Sequence, residues 1–162
     1  MIRAAQIQDV ANLVAVLHAS IRSCIQDHQR NEAKIQAWLE NKSYENILML
    51  LHYNNCWVYV LQHVVVGFIM MSDRGQILQH AIAPEVQQRG IGQALLFEAI
   101  SDLKRKNVSH MSVFSTQTAL SFYEKNGFEI QPQKISYGHF TPMLKHLNGE
   151  PLEHTYKTNF PI

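Results

Sequence analysis

Apolar positions change their rhythm several times along this chain. Val10, Leu13, Val14, Leu17 and Ile21 recur at the spacing of a helix with one apolar face. Asp9 stands where an N-cap belongs, and Arg3 to Ala5 before it begins a short strand. Asp27 to Asn31 is polar and is expected to be a loop. Ile35, Trp38 and Leu39 mark a second helix, a weaker one runs from Tyr44 to Leu51, and Asn54-Asn55 is a break.

From Cys56 the rhythm becomes that of strands. Trp57 to Leu61 and Val64 to Met71 are β-branched and aromatic, joined by the tight link Gln62-His63. Arg74-Gly75 predicts a turn, and Ile77 to Ala83 a third strand, ended by Pro84. Helical spacing returns at Leu95, Leu96, Ala99, Ile100 and Leu103. Lys104-Arg105-Lys106 then place cations at the negative end of that helix dipole, so the basic run needs no ligand to explain it. His110 to Phe114 is a strand and Ala119 to Lys125 a helix, closed by Gly127 as a left-handed cap with Phe128 as its apolar anchor. Strands near Phe128 to Ile130 and His139 to Leu147 complete the pattern. The order predicts an α/β (α+β) fold, a mixed sheet with helices on both faces.

Length and charge narrow the function. A chain of 162 residues fits one domain, expected over 1–147, with a tail over 148–162 that packs on the domain or on a partner. Lys and Arg number 14 against 13 Asp and Glu, a balance that speaks against nucleic-acid binding by phosphate neutralisation. The longest apolar run, Val64 to Met71, is far below the roughly 20 residues of a membrane span, so no membrane partner is expected. Cys24 and Cys56 cannot build a disulfide framework, and Met1 to Gln6 holds no signal-peptide core. A cytoplasmic protein is expected. No two of the nine histidines share a metal-ligand spacing, so no metal is expected either.

The chemistry concentrates in Gln79 to Leu96. A strand ends at a proline, a short loop crosses, and Gly90 and Gly92 open a helix. Successive N–H groups at such a start can cradle a pyrophosphate. A Walker A loop is excluded because no Gly-Lys-Ser/Thr occurs here. A Rossmann fingerprint is excluded by Leu95, where glycine or alanine belongs. The pattern that fits is Gln/Arg-x-x-Gly-x-Gly/Ala, met by Gln87-Gln88-Arg89-Gly90-Ile91-Gly92.

With that loop, the chain resembles the GNAT superfamily of acyl-CoA-dependent N-acetyltransferases. Ala119-Leu120-Ser121-Phe122-Tyr123-Glu124-Lys125-Asn126-Gly127-Phe128 is similar to the family's second motif, and Met143 to Leu147 to its closing strand. Two positions depart from it. Thr116 stands where members often carry asparagine, and Gln76-Ile77-Leu78-Gln79 lacks the glutamate that some members use as base.

The resemblance implies a mostly antiparallel central sheet in which the strand Ile77 to Ala83 splays from its neighbour. Backbone groups at Ile82 and Ala83 would bond the pantetheine arm of acetyl-CoA, with Thr116 beside it. Gln87, Gln88, Arg89, Gly90, Gly92 and Gln93 would hold the pyrophosphate. The implied reaction moves acetyl from acetyl-CoA to a primary amine of a small molecule or peptide by direct attack. The alternative is a catalytically silent acyl-CoA-binding module. Tyr123 occupies the position of the family's general acid. For a base, His80 leads into the cofactor loop and has an unperturbed pKa of about 6.5; His28, next to Asp27, is the second candidate. The acceptor is left open, and a homodimer through the late strands or the tail is compatible with the pattern.

Overall fold

The computed structural model describes residues 1–132 and 138–147. Seven strands form one sheet: β1 (Ile2–Ala4), β2 (Asn55–Leu61), β3 (Val64–Met71), β4 (Gln76–Ile82), β5 (His110–Ser115), β6 (Glu129–Ile130) and β7 (Thr141–His146), in the order β1-β2-β3-β4-β5-β7-β6. All neighbours are antiparallel except β4 and β5, which run parallel. A parallel pair needs a crossover. Here the crossover is the helix α5 (Ile91–Arg105).

The continuous apolar run of β3 has its reason in this order. Val65 to Met71 are all buried because helices cover both faces of the sheet. On one face α1 (Val10–Ser23), α3 (Glu32–Leu39) and α4 (Tyr44–Tyr53) press Leu13, Leu17, Ile35 and Ile47 onto Val58, Phe68, Met70 and Ala81. On the other face α5 and α6 (Leu120–Lys125), with Phe128 just after α6, pack Leu95, Leu96, Leu103, Tyr123 and Phe128 against Ile69, Met71, Met111 and Met143.

Turn chemistry follows the expected residues. Gln62 and His63 both take positive φ (49° and 66°), the geometry of a two-residue hairpin turn. Gly127 (φ +87°) closes α6 in a Schellman motif: the Phe128 N–H donates to the Tyr123 carbonyl at 3.0 Å, and the Gly127 N–H to Glu124 at 3.1 Å.

Two expectations are corrected and one is refined. Asp9 takes the N-cap position of α1 as expected, but its side chain makes no capping bond there. It ends a 3-10 turn (Ile7–Asp9), where its carboxylate accepts the Gln6 N–H at 2.7 Å and grips Arg3 at 2.8 and 2.9 Å. Asp27 to Asn31 is not wholly loop, since α2 (Ile25–His28) forms there and is ended by left-handed Gln29 and Arg30. The closing strand is shorter than His139 to Leu147, because Gly138 and His139 are still in turn. The expected tail, 148–162, lies outside the described residues. No helix among the described residues is long and apolar enough to cross a membrane.

Candidate active site

β4 and β5 pair over only Gln76/Ser112 and Ile77/Val113, although β4 continues to Ile82 and β5 to Ser115. Beyond those pairs the strands part, leaving a V that opens toward the loop after β4. The phase of the β3–β4 ladder decides which backbone groups line it. Ala83 N–H donates to Val66 at 2.8 Å, so by alternation Ala81 and Gln79 also bond to β3, while His80 and Ile82 turn their amides into the V. Gln87 Nε2 donates to the Ile82 carbonyl at 3.1 Å, which leaves the Ile82 N–H facing the opening.

Above the V lies the glycine loop. Gln87 to Gly90 are exposed, and Gln88 (φ 60°) and Gly90 (φ 81°) are both left-handed. Gly90 is the N-cap of α5, with no side chain capping it. The first bond inside the helix runs from Ala94 N–H to Gly90 at 2.9 Å. The amides of Ile91, Gly92 and Gln93 therefore point outward without helical partners, at the positive end of a 15-residue helix dipole. A Cβ on Gly90 would meet nothing within 4 Å. That open space over free amides fits a pyrophosphate, and the unpaired edge at Ile82 fits an extended amide-bearing arm.

The loop side chains brace the protein rather than face this space. Gln87 also reaches Ser23 Oγ at 3.4 Å, Arg89 donates to the Glu85 carbonyl at 3.3 Å, and Gln93 Nε2 donates to Asn126 Oδ1 at 3.0 Å. The groups left available to an anion here are backbone amides. The Thr116 hydroxyl accepts the Ala119 N–H at 3.0 Å and so shapes the entry to α6.

Tyr123 and His80, far apart in sequence, meet beneath the loop. Tyr123 Oη lies 3.0 Å from His80 Nδ1, and His80 Nε2 lies 3.0 Å from the Gly92 carbonyl oxygen. Phe122 packs edge-on against the imidazole at 5.6 Å. Between the two aromatics, Tyr123 is the buried one (4% exposed), while Phe122 is half-buried. Burial lifts the Tyr123 phenol well above its usual value and pushes the His80 imidazolium down to about 4, an effect only partly offset by the Gly92 carbonyl.

That geometry is wrong for a general base, because both imidazole nitrogens are engaged and the ring holds its proton weakly. His28 is engaged as well. Its Nε2 lies 3.0 and 3.1 Å from the Ile21 and Arg22 carbonyls, and its Nδ1 accepts the Arg30 N–H at 3.1 Å. It latches the end of α1 to α2. Asp27, expected only as its companion, does something else. Its carboxylate accepts from the Gln117 N–H at 2.7 Å, the Thr118 N–H at 3.1 Å and the Thr118 hydroxyl, and so ties α2 across the V to the loop before α6. We expect Asp27→Ala to lower stability by about 1 to 3 kcal/mol in urea titration, with Asp27→Asn losing less.

Burial of His80 also sets an acid response. Its folded pKa is depressed, so its contribution is complete above the unfolded value of about 6.5 and is lost as pH falls toward 4. Unfolding free energy should drop by about 1 to 2 kcal/mol between pH 7 and pH 5, solvent screening at this half-buried ring included. His80→Gln should remove that part of the drop.

A groove of about 960 Å³, lined among others by Ile7, Tyr44, Met49, Tyr53 and Asn55, lies at the start of β2, the opposite end of the sheet from the glycine loop. None of the predicted site residues lines it.

The acetyltransferase (GNAT) domain family model matches residues 24–147. This chain belongs to the GNAT acetyltransferase family. A spermidine N(1)-acetyltransferase of Thermoplasma acidophilum is 26% identical over 143 residues, covering 80% of this chain and 88% of that protein. Among solved structures, a GCN5-related N-acetyltransferase from Rhodopseudomonas palustris superposes with a TM-score of 0.81 at 21% identity, over 90% of this chain and 94% of that one. The PaiA N-acetyltransferase of Thermoplasma acidophilum, solved in complex with coenzyme A, superposes with a TM-score of 0.79 at 24% identity, over 90% and 98%. The protein is thus an acyltransferase enzyme with the mixed α/β sheet of the GNAT fold.

Proposed function

We propose that this GNAT enzyme transfers acetyl from acetyl-CoA to a primary amine of a small molecule or peptide by direct attack. The observation that carries the reading is the position of the Tyr123 hydroxyl, held by His80 beneath an uncapped, anion-ready helix start and beside an unpaired strand edge. Acetyl-CoA supplies an acetyl thioester. The outward amides of Ile91, Gly92 and Gln93 hold its pyrophosphate, and the backbone at Ile82 aligns its arm; Ala83, also expected there, spends its N–H on Val66 and its carbonyl on Val86. Tyr123 Oη–H offers a proton or hydrogen bond to the departing sulfur.

The amine must arrive neutral. An alkyl amine of pKa about 10.4 needs about 4.6 kcal/mol at pH 7 to lose its proton. With both ring nitrogens of His80 engaged, water or a desolvating pocket supplies that deprotonation in this reading. The relative named for spermidine makes polyamines the first acceptors to try. The two free cysteines fit a reducing, cytoplasmic setting.

The test is thiol release from acetyl-CoA against a panel of polyamines, amino acids, peptide amines and aminoglycosides. Amine-dependent release is expected with at least one class. Acetyl-CoA binding without release across the panel would return the chain to a silent acyl-CoA-binding module.

A further inference from the structure

We propose that Phe114 is a specificity-determining residue that selects a primary monoamine with an apolar body over a polyamine. This rests on the reading of the chain as an acetyl-CoA-dependent transferase and names its acceptor class. One face of the V is open to an amine. On the α5 and α6 face, Tyr123, His80 and Phe122 pack against one another beneath the glycine loop. The acceptor therefore meets a thioester lying along the Ile82 edge from the opposite face.

Strand alternation says which side chains it meets there. Met111 and Val113 of β5 and Met143 of β7 belong to the core beneath α5 and α6. Ser112, Phe114, Pro142 and Leu144 therefore point to the other face. The helices on that face, α1, α3 and α4, stand over β2, β3 and β4, and among the described residues their core takes nothing from β5 or β7. An apolar shelf is left beside the V. Phe114 is the first residue of β5 after its last pair with β4, Ile77/Val113, so its ring stands on the lip, 40% exposed. Pro142 lies opposite it on β7. Phe140, just before β7, meets Trp38 of α3 edge-on at 5.8 Å and closes the end of the shelf.

Charge is missing where a polyamine would need it. β4, β5 and β7 carry no acidic residue. Asp27 of α2 is engaged by Gln117 and Thr118, and Glu32 of α3 faces Arg22 at 3.2 Å. Glu129 pairs with Leu144 on β6, so two strand spacings, about 10 Å, part it from β5. A second ammonium on the shelf would lose hydration without a carboxylate to replace it, and a ring face attracts a cation less strongly than that loss opposes it. A methyl or phenyl group in the same place gains by leaving water.

Isosteric acceptors test this. Pentylamine and putrescine share a chain and differ by a terminal methyl against a terminal ammonium. In thiol release from acetyl-CoA by the full chain, kcat/KM for pentylamine and phenethylamine should exceed that for putrescine or spermidine by about tenfold or more. Phe114→Ala should lower kcat/KM for pentylamine by about fivefold or more, with the KM for acetyl-CoA little changed. Phe114→Glu against Phe114→Gln isolates charge at the lip. The putrescine-to-pentylamine ratio of kcat/KM should be about tenfold higher in the glutamate variant, whichever way total turnover moves. The wild-type comparison stands whether or not a variant folds. Putrescine or spermidine used as well as pentylamine overturns the proposal and leaves the transferase reading in place, as does an equal ratio in the glutamate and glutamine variants. Binding of acetyl-CoA with no release to any amine overturns the transferase reading, and the acceptor class with it.

Discussion

Tyr123→Phe is expected to lower kcat by tenfold or more, with acetyl-CoA affinity little changed. The substitution keeps the ring that packs on Phe122 and Phe128, at 5.1 and 5.2 Å, and removes only the hydroxyl. The departing thiolate of CoA has a pKa near the 8.5 of a free thiol. An ordinary phenol of pKa about 10 is a weaker acid than that thiol, and burial weakens this one further. Its gain is therefore drawn largely from a hydrogen bond to developing charge, in a site where such bonds are strong; loss of a donor of this kind costs on the order of 10²-fold. The pH profile gives a second reading. Burial holds the phenol above its usual range, so no alkaline loss of kcat from Tyr123 should occur below pH 10. Removing the hydroxyl also leaves His80 Nδ1 without its hydrogen-bond partner, and stability should fall by about 1 to 3 kcal/mol. Rates are therefore to be compared on protein shown to be folded by circular dichroism at the assay temperature. Wild-type turnover would make Tyr123 a core residue only.

Gly90→Asp is expected to weaken acetyl-CoA binding at least tenfold relative to Gly90→Asn, about 1.4 kcal/mol. Gly90 is left-handed and caps α5, and its Cβ direction is empty. Asn and Asp both tolerate left-handed φ better than other non-glycine residues, and both are favoured helix caps. Their difference isolates charge. A carboxylate at the positive end of α5 stabilises the helix, yet it occupies the place where the pyrophosphate should lie. The aspartate variant should thus melt no lower than the asparagine variant while binding the donor worse. Calorimetric titration of both with CoA decides it, and equal affinity would move the pyrophosphate away from this turn. Gly92 is a poorer probe, because bulk there strikes His80, Ile82 and Phe122 before it reaches a ligand.

Local features of this protein were legible because their causes are local. Gln62-His63 makes its turn, Gly127 ends its helix, and the glycines after Gln87 open α5, each through the φ range and capping needs of a few adjacent residues. The unbroken apolar run from Val64 to Met71 likewise encodes a strand covered on both sides. Asp9 takes the N-cap position that its context predicts, but an arginine six positions earlier holds its carboxylate, and the side chain makes no cap bond to α1.

The site itself required the fold. Periodicity could not say which of Phe122 and Tyr123 faces inward, since α6 has only six residues and its rotation is set by its Schellman end and by the sheet beneath. Tyr123 and His80 stand 43 positions apart, and Asp27 stands 90 from Gln117. Nothing in the spacing of side chains along the chain measures such distances. The sequence by itself determined the element order, the anion-ready loop and the presence of a phenol in the second motif. Tertiary structure alone decided that β4 and β5 part after two residue pairs, that Asp27 bonds to the loop before α6, and that His80 meets both the Tyr123 hydroxyl and the Gly92 carbonyl. Packing is the physical reason for the last of these: elements remote in sequence close around the imidazole, and burial then lowers its pKa to about 4.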